Sequence, residues 1–384
     1  MAAISKGRLI FASILAIYVY GSIALLLGTV LTPFTAKFGL NDSQASWLPL
    51  ANAIGLIVSS LTVGPVVDKR GKKVALVSGL AGILIALLGL ALATSYAAAL
   101  ASLVLLGLGG GMIVTGANAL VSDLDAERRA STLNLLNLFF GLGGMTTPFL
   151  AANVLKITDP ASLCYLLAAL VAVAFLVHAT TAMPPPAGAA QSVGRGYSDL
   201  LARPTFYLLA VQLFLYVGVE VGTSSWLVKY LTAAPASLSM TAATNILSFG
   251  FAGGILVGRV VVSRFITGLA EWKVTMVAGF AIAATTYAML QVGSQTAVIA
   301  AVFCAGLAMA PMFPTVLAMV GNTFTQNAAQ ALGTVITIGW FGFLIIPPVI
   351  GNLGSGLGQG LLLIPACAVV MALTNLGLRR TARA

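Results

Sequence analysis

Long apolar runs alternate with short polar breaks along the whole chain. Twelve runs stand out, at about 9–36, 45–67, 74–94, 97–122, 131–154, 161–183, 205–231, 241–266, 272–292, 296–320, 328–350 and 356–378. A helix that crosses a bilayer needs roughly 20 apolar residues, and each run supplies about that many. The longest polar break is 184–203, where Pro184, Pro185 and Pro186 precede Arg195 and Asp199. Proline cannot continue a helix and stiffens a linker. The pattern therefore predicts an all-α membrane protein with twelve transmembrane helices. Six fall in 1–183, a linker covers 184–203, and six fall in 204–384. A transmembrane barrel would show alternating strands of about ten residues instead. The first run outlasts the roughly 7–15 apolar residues of a signal peptide, and a second span follows, so it is expected to stay in the chain.

Composition narrows the class. Of the 384 residues, 59% are hydrophobic and 7% charged, and mean hydropathy is +1.05. Globular domains carry about 25% charged residues, which excludes a soluble enzyme, a nucleic-acid-binding domain and a disordered chain. The net charge of +10 comes from 19 basic and 9 acidic residues. With the N-terminus inside, only Lys37, Lys156 and Lys229 fall on the outer side and the other 16 basic residues face the cytoplasm. That asymmetry is the positive-inside bias. It predicts two cytoplasmic termini and removes any need for nucleic acid as a partner. Cys164, Cys304 and Cys367 are widely spaced in apolar runs, and His178 is the only histidine. No metal site, disulfide framework or cofactor is expected. His178, near the cytoplasmic end of segment 6, is expected at the membrane interface.

The two halves echo one another. Segment 5 holds Gly141 and Gly144 ahead of Pro148, and segment 11 holds Gly339 and Gly342 ahead of Pro347 and Pro348. Small residues three or four apart let helix backbones approach closely.

Between segments 2 and 3 stands Gly64-Pro-Val-Val-Asp68-Lys69-Arg70-Gly71-Lys72-Lys73. Positive-inside bias explains the lysines but not an aspartate and two glycines at fixed offsets. The stretch resembles the loop signature of the major facilitator superfamily at all six defined positions: Gly64, Asp68, Lys69, Gly71, Lys72 and Lys73. In this reading Asp68 meets basic groups and helix N-termini. Gly71 allows a tight turn, and Lys72 and Lys73 hold the loop at the lipid headgroups. The resemblance covers essentially the whole chain. It implies two pseudo-symmetric six-helix bundles around a central cavity, which rock to alternate access, and a monomer in a bacterial inner membrane.

Three softer patches resemble the fucose–galactose–glucose permease branch. They are Gly107–Asn118 in segment 4, Tyr216–Tyr230 in segment 7 and Gly306–Thr315 in segment 10, with Leu133–Asn137 at the start of segment 5. Two departures matter. Val114 stands where that branch often has an acid four positions before the segment 4 asparagine, and segment 1 has no acid. The fucose permease's proton-coupling scheme is therefore not carried over.

The acids can be surveyed completely. Eight of the nine fall at loops or helix ends, and only Glu220 lies well inside a span. A charge at mid-bilayer costs roughly 2.5–3.5 kcal/mol on insertion scales, so it normally faces a cavity or a partner. Glu220 is the candidate to bind a coupling proton or sodium ion; the alternative is a carboxyl tying helices together. Gln212, Tyr216, Glu220 and Thr223 share a face of segment 7 by helical spacing. Asn118 in segment 4 and Asn134 and Asn137 in segment 5 add amides, which offer paired donors and acceptors. Trp226 and Trp340 could cover the apolar faces of a sugar, though Trp226 also suits an interfacial anchor. These groups suit a small neutral polar solute, with a sugar foremost. A proton-coupled exporter of drugs or amphiphilic cations stays open, because one membrane acid in an apolar surround suits it too.

Overall fold

The computed structural model describes residues 6–124, 129–155, 160–184, 200–233, 237–265, 269–291, 294–324, 328–354 and 356–381. Within its helices it describes the side chains of all but residues 64, 65, 68, 69, 122–124, 129–135, 263–265, 328–330 and 380–381. Every regular element is helical among the described residues. Among the described residues, eleven helices are long and apolar enough to cross a membrane. The twelfth, in the place of segment 5, is the helix Arg129–Phe149 continued by a π-helical turn Leu150–Val154. The chain divides into two compact units, Met1–Gln191 and Ser192–Ala384.

In the first unit, α1 is Lys6–Phe38, α2 Asp42–Arg70, α3 Lys72–Leu92, α4 Tyr96–Leu124, α5 the two-part helix from Arg129 to Val154, and α6 Pro160–Thr180. In the second, α7 is Pro204–Thr232 and α8 runs from Met240 to Phe265. There α9 is Glu271–Gln291, α10 Gln295–Thr323, α11 Ala328–Asn352 and α12 Leu357–Thr381, the last broken at Leu362. The local signals are visible in sequence. Asn41 and Gln44 form a reciprocal capping box at the start of α2, and Ser239 and Ser294 cap α8 and α10. Proline accompanies the interruptions of some long helices, because it lacks the N–H that the carbonyl four residues earlier needs, although α11 runs unbroken through Pro347 and Pro348. Pro311 ends the first part of α10, Pro365 follows the break in α12, and Pro148 precedes the π-helical turn of α5. A second π-helical stretch, Ile246–Ala252, lies inside α8. Segment 1, read as one span, divides at Leu25 into Lys6–Ala24 and Leu26–Phe38.

Each unit is built on glycine-mediated crossings. In the first, α1 meets α5 and α2 meets α4; in the second, α7 meets α11 and α8 meets α10. At α1–α5, a Cβ on Gly143 would run into the Tyr18 carbonyl, and one on Gly21 into the Phe140 carbonyl. At α7–α11, a Cβ on Gly342 would run into the Phe214 carbonyl, and one on Gly218 into Ile346. Gly55 with Gly107 and Gly254 with Gly306 do the same at the other two crossings. Gly55, Gly107 and Gly143 recur 199 positions later as Gly254, Gly306 and Gly342. The echo expected from the sequence is therefore structural, but its contact in α5 runs through Gly143 rather than Gly141 or Gly144. Without side chains to separate them, the backbones pack at the short range that membrane helices favour.

Candidate functional site

The turn between α2 and α3 pivots on Gly71. Its φ is +87°, and its N–H donates to the Val67 carbonyl at 2.9 Å. That conformation strains any residue with a Cβ, which accounts for the glycine in the loop signature. Lys73 departs from its expected role at the headgroups. Its Nζ donates to the Ala179 carbonyl at 2.8 Å, one residue before the end of α6. The last carbonyls of a helix lack intrahelical donors and carry partial negative charge, so a lysine there is well placed. Lys72 is half-buried. The side chains of Asp68 and Lys69, and the surroundings of Gly64, lie outside the described residues. His178 also departs from expectation. It is fully buried rather than interfacial, with Nδ1 2.7 Å from the Ala174 carbonyl and its ring against the Ala12 backbone of α1. Packing of α1 and the Lys73 contact cover this end of α6, so the histidine has no route to the interface.

The polar residues of the first unit are divided in role. Tyr18 of α1 and Thr146 of α5 share a hydrogen bond of 2.8 Å, and Thr147 donates to the Ser22 carbonyl. These tie the α1–α5 crossing. Asn118 is half-buried on α4, and Asn137 is exposed on α5. The side chain of Asn134 lies outside the described residues.

The second unit holds the distinctive arrangement. Gln212 and Tyr216 stand one helical turn apart on α7, and both are completely buried. Neither Gln212 amide atom has a hydrogen-bond partner among the described residues, and the Tyr216 hydroxyl faces the Glu220 side chain. Glu220, half-buried, stands one turn further along. The Tyr216 hydroxyl feels both the Glu220 carboxylate and the guanidinium of Arg259 on α8, and its ring lies 6.4 Å from that of Phe313 on α10. On α8 the buried Thr244 hydroxyl is also without a hydrogen bond. Buried polar atoms are almost always paired, and each exception calls for a reason. Among the described residues such atoms occur on Thr32, Ser59 and His178 of the first unit as well as in the second, and Gln212 is the residue whose helix face also carries Glu220. Among the described residues no group of His, Cys, Asp and Glu could hold a metal ion.

The remaining ring and hydroxyl candidates are engaged in packing. The buried Trp226 donates its indole N–H to the Pro347 carbonyl of α11 at 2.9 Å and lies under the Lys229 ammonium at 5.6 Å. Thr223 donates to the Val219 carbonyl of its own helix at 2.7 Å. Trp340 is half-buried on α11. Sequence spacing thus brings Gln212, Tyr216 and Glu220 together. It misses Phe313, which arrives from α10 through tertiary packing.

Comparison with known proteins agrees with this architecture. Residues 9–347 match the Major Facilitator Superfamily. The chain is 26% identical over 367 residues to a glucose/galactose transporter of Brucella abortus (strain 2308), an alignment spanning 89% of this chain and 86% of that protein. Among solved structures it is similar to a D-xylose-proton symporter, with a TM-score of 0.81, 12% identity and 96% of each chain covered. It is also similar to a nucleoside transporter, with a TM-score of 0.78, 15% identity, and 97% and 99% covered. At those identities the structures speak for a shared fold alone.

Proposed function

This chain belongs to the Major Facilitator Superfamily, and from that premise we propose that it is a secondary active transporter of a small neutral polar solute, a sugar. It works by alternating access and couples the solute to a cation, proton or sodium, at Glu220. The observation that carries this reading is the buried stripe on α7. Gln212 offers an amide donor and acceptor with no hydrogen bonds of its own, and Tyr216 a hydroxyl one turn along. A polyhydroxylated solute presents the complementary groups in pairs. Likeness to a glucose/galactose transporter points to the same class. Asn118, Asn134, Asn137 and Trp340 remain candidates for further contacts. The protein is a multi-pass membrane protein; a bacterial inner membrane, two cytoplasmic termini and a monomeric working unit complete the proposal.

The test is thermal stabilisation of the purified protein by glucose, galactose, deoxyhexoses and cationic dyes, at two pH values, with and without sodium. A ligand at a hundredfold excess over Kd stabilises the native state by about 2.7 kcal/mol. Stabilisation by one sugar class, modulated by pH or sodium, supports the symporter and names the ion. Stabilisation by the dyes alone contradicts it.

A further inference from the structure

Helices α9 and α12 are joined by a ladder of close contacts that ends in a cluster of cations. At its inner rung, a Cβ on Gly279 would stand 2.9 Å from the Ala372 Cβ and 3.0 Å from its Cα. One turn toward the helix ends, Thr275 donates to the Asn375 side-chain oxygen at 2.7 Å, wholly buried. One turn further, the Arg379 guanidinium lies 5.5 Å from the centre of the Trp272 ring. The Lys273 ammonium lies 5.6 Å from the same ring centre. Steps of three and four residues keep 272, 275 and 279 on one face of α9, and 372, 375 and 379 on one face of α12. The packing of two helices within one unit therefore sets Arg379 over Trp272.

Among the described residues no acid pairs with either cation. The second unit has three acids in sequence, Asp199, Glu220 and Glu271, and only Glu271 belongs to α9 or α12. Its carboxylate is turned to α10, where it accepts from the Asn322 amide at 2.9 Å. Lys273 and Arg379 are both exposed, and Trp272 is half-buried. Lys273 also stands in the first turn of α9, where the helix dipole disfavours a cation. Arg380 follows Arg379 in the chain and adds a further positive charge. The local charge is thus positive and uncompensated, and an anion from outside the protein would balance it.

We infer that Trp272, Lys273 and Arg379 form a binding site for the phosphate of an anionic phospholipid. The site stands at the ends of two helices long and apolar enough to span a membrane, the level at which tryptophan rings and lipid headgroups meet. A guanidinium matches a phosphate with two parallel N–H···O bonds. Held over the indole, Arg379 has less side-chain freedom left to lose when the ligand arrives. Its N–H groups lie in the guanidinium plane and stay free to donate. One turn from Lys273, Val277 is exposed, and one turn from Arg379, Leu376 is exposed. Charge at the helix ends with bare apolar side chains just below is the pattern that an amphiphile fits. Free phosphate shares the headgroup chemistry but gains nothing from Val277 and Leu376. The inference needs neither a solute nor a role for Glu220.

The test uses the full-length protein, purified in a neutral detergent. Dihexanoyl phosphatidylglycerol, dihexanoyl phosphatidylcholine and inorganic phosphate are titrated separately, and the thermal midpoint reports binding. Native mass spectrometry of the same samples counts retained phosphatidylglycerol, a readout independent of stability. The original chain is compared with Lys273→Gln, Arg379→Gln, Trp272→Leu and, as a control for surface charge, Arg8→Gln at the exposed start of α1. Midpoints without added lipid show that each variant is folded. Phosphatidylglycerol should raise the midpoint of the original chain, and the other two ligands should leave it unchanged. Arg379→Gln should weaken the apparent affinity for phosphatidylglycerol by about tenfold or more, the value of a hydrogen bond to a charged group. Trp272→Leu should also weaken it, with both charges in place, and Arg8→Gln should not. Equal stabilisation by inorganic phosphate would overturn the lipid assignment in favour of a free-anion site. Equal weakening by Arg8→Gln would reduce the effect to general surface charge. Undiminished affinity in both Lys273→Gln and Arg379→Gln would remove the site.

Discussion

Gln212 and Tyr216 face the interior one turn apart on α7, completely buried, and the Gln212 amide makes no hydrogen bond within the protein. A buried, unmade hydrogen bond costs about 1–3 kcal/mol. A sequence under selection for stability alone would carry leucine and phenylalanine here, since both replacements keep the bulk and drop the polar atoms. Retaining the polar groups makes sense if a ligand uses them.

That reasoning predicts opposite effects on stability and binding. Gln212→Leu should raise the thermal midpoint of the ligand-free protein, equivalent to a gain of about 1 kcal/mol. It should weaken sugar binding by about tenfold, the value of one hydrogen bond of roughly 1.4 kcal/mol. Calorimetric melting and equilibrium binding on the same preparation check both. A variant that is less stable and binds normally would make Gln212 a structural residue.

The glycine crossings make a sharp packing prediction. Gly342→Ala drives a methyl into the Phe214 carbonyl, whereas Gly321, also helical, has no atom within 4 Å of the position a Cβ would take. Overpacking costs about 1–3 kcal/mol, and replacing an unstrained helical glycine by alanine gains about 0.5–1 kcal/mol. Gly342→Ala should therefore lower the melting temperature and Gly321→Ala should raise it. Equal effects would contradict the close crossing.

Much of this architecture is legible in the chain because the bilayer dictates it. A spanning helix must satisfy its own backbone, so apolar run length reveals the helices, and Pro311 and Pro365 reveal where α10 and α12 break. Gly71 is legible for a similar reason, since few residues other than glycine adopt its φ. The partners of Lys73 and Tyr216 are not legible. Ala179 lies 106 residues from Lys73, and its contribution is a backbone carbonyl that any residue would supply. Phe313 meets the Tyr216 ring only because α10 packs against α7. His178 misled for the same reason: a position near a helix end says nothing about the neighbour that covers it. The 199-residue recurrence of Gly55, Gly107 and Gly143 is present in the sequence; the echo of segments 5 and 11 includes the contact glycine Gly342 but in segment 5 falls beside it, on Gly141 and Gly144.

Lys73 should contribute through a helix end rather than through lipid. Lys73→Met removes the donor to the Ala179 carbonyl and should destabilise the protein by about 0.3–1 kcal/mol. The loss should be the same in neutral and anionic lipid. A loss confined to anionic lipid would return the residue to a headgroup role.

Thr275 of α9 and Asn375 of α12 form a wholly buried hydrogen bond of 2.7 Å. Thr275→Val strands the Asn375 oxygen and should cost about 1–3 kcal/mol. Thr275→Val combined with Asn375→Leu should recover most of that, because removing both partners of a buried pair is nearly neutral. Thermal melts of the three variants check this, and a double variant that loses the sum of both single effects would contradict it.

The most direct measurement is sugar accumulation in proteoliposomes under an imposed proton or sodium gradient, with Glu220→Gln alongside the original chain. Galactose and glucose are the probes. The prediction is that the original chain concentrates one of them against its gradient, while Glu220→Gln still exchanges it across the membrane but no longer concentrates it. Concentration by Glu220→Gln equal to that of the original chain would contradict coupling at Glu220.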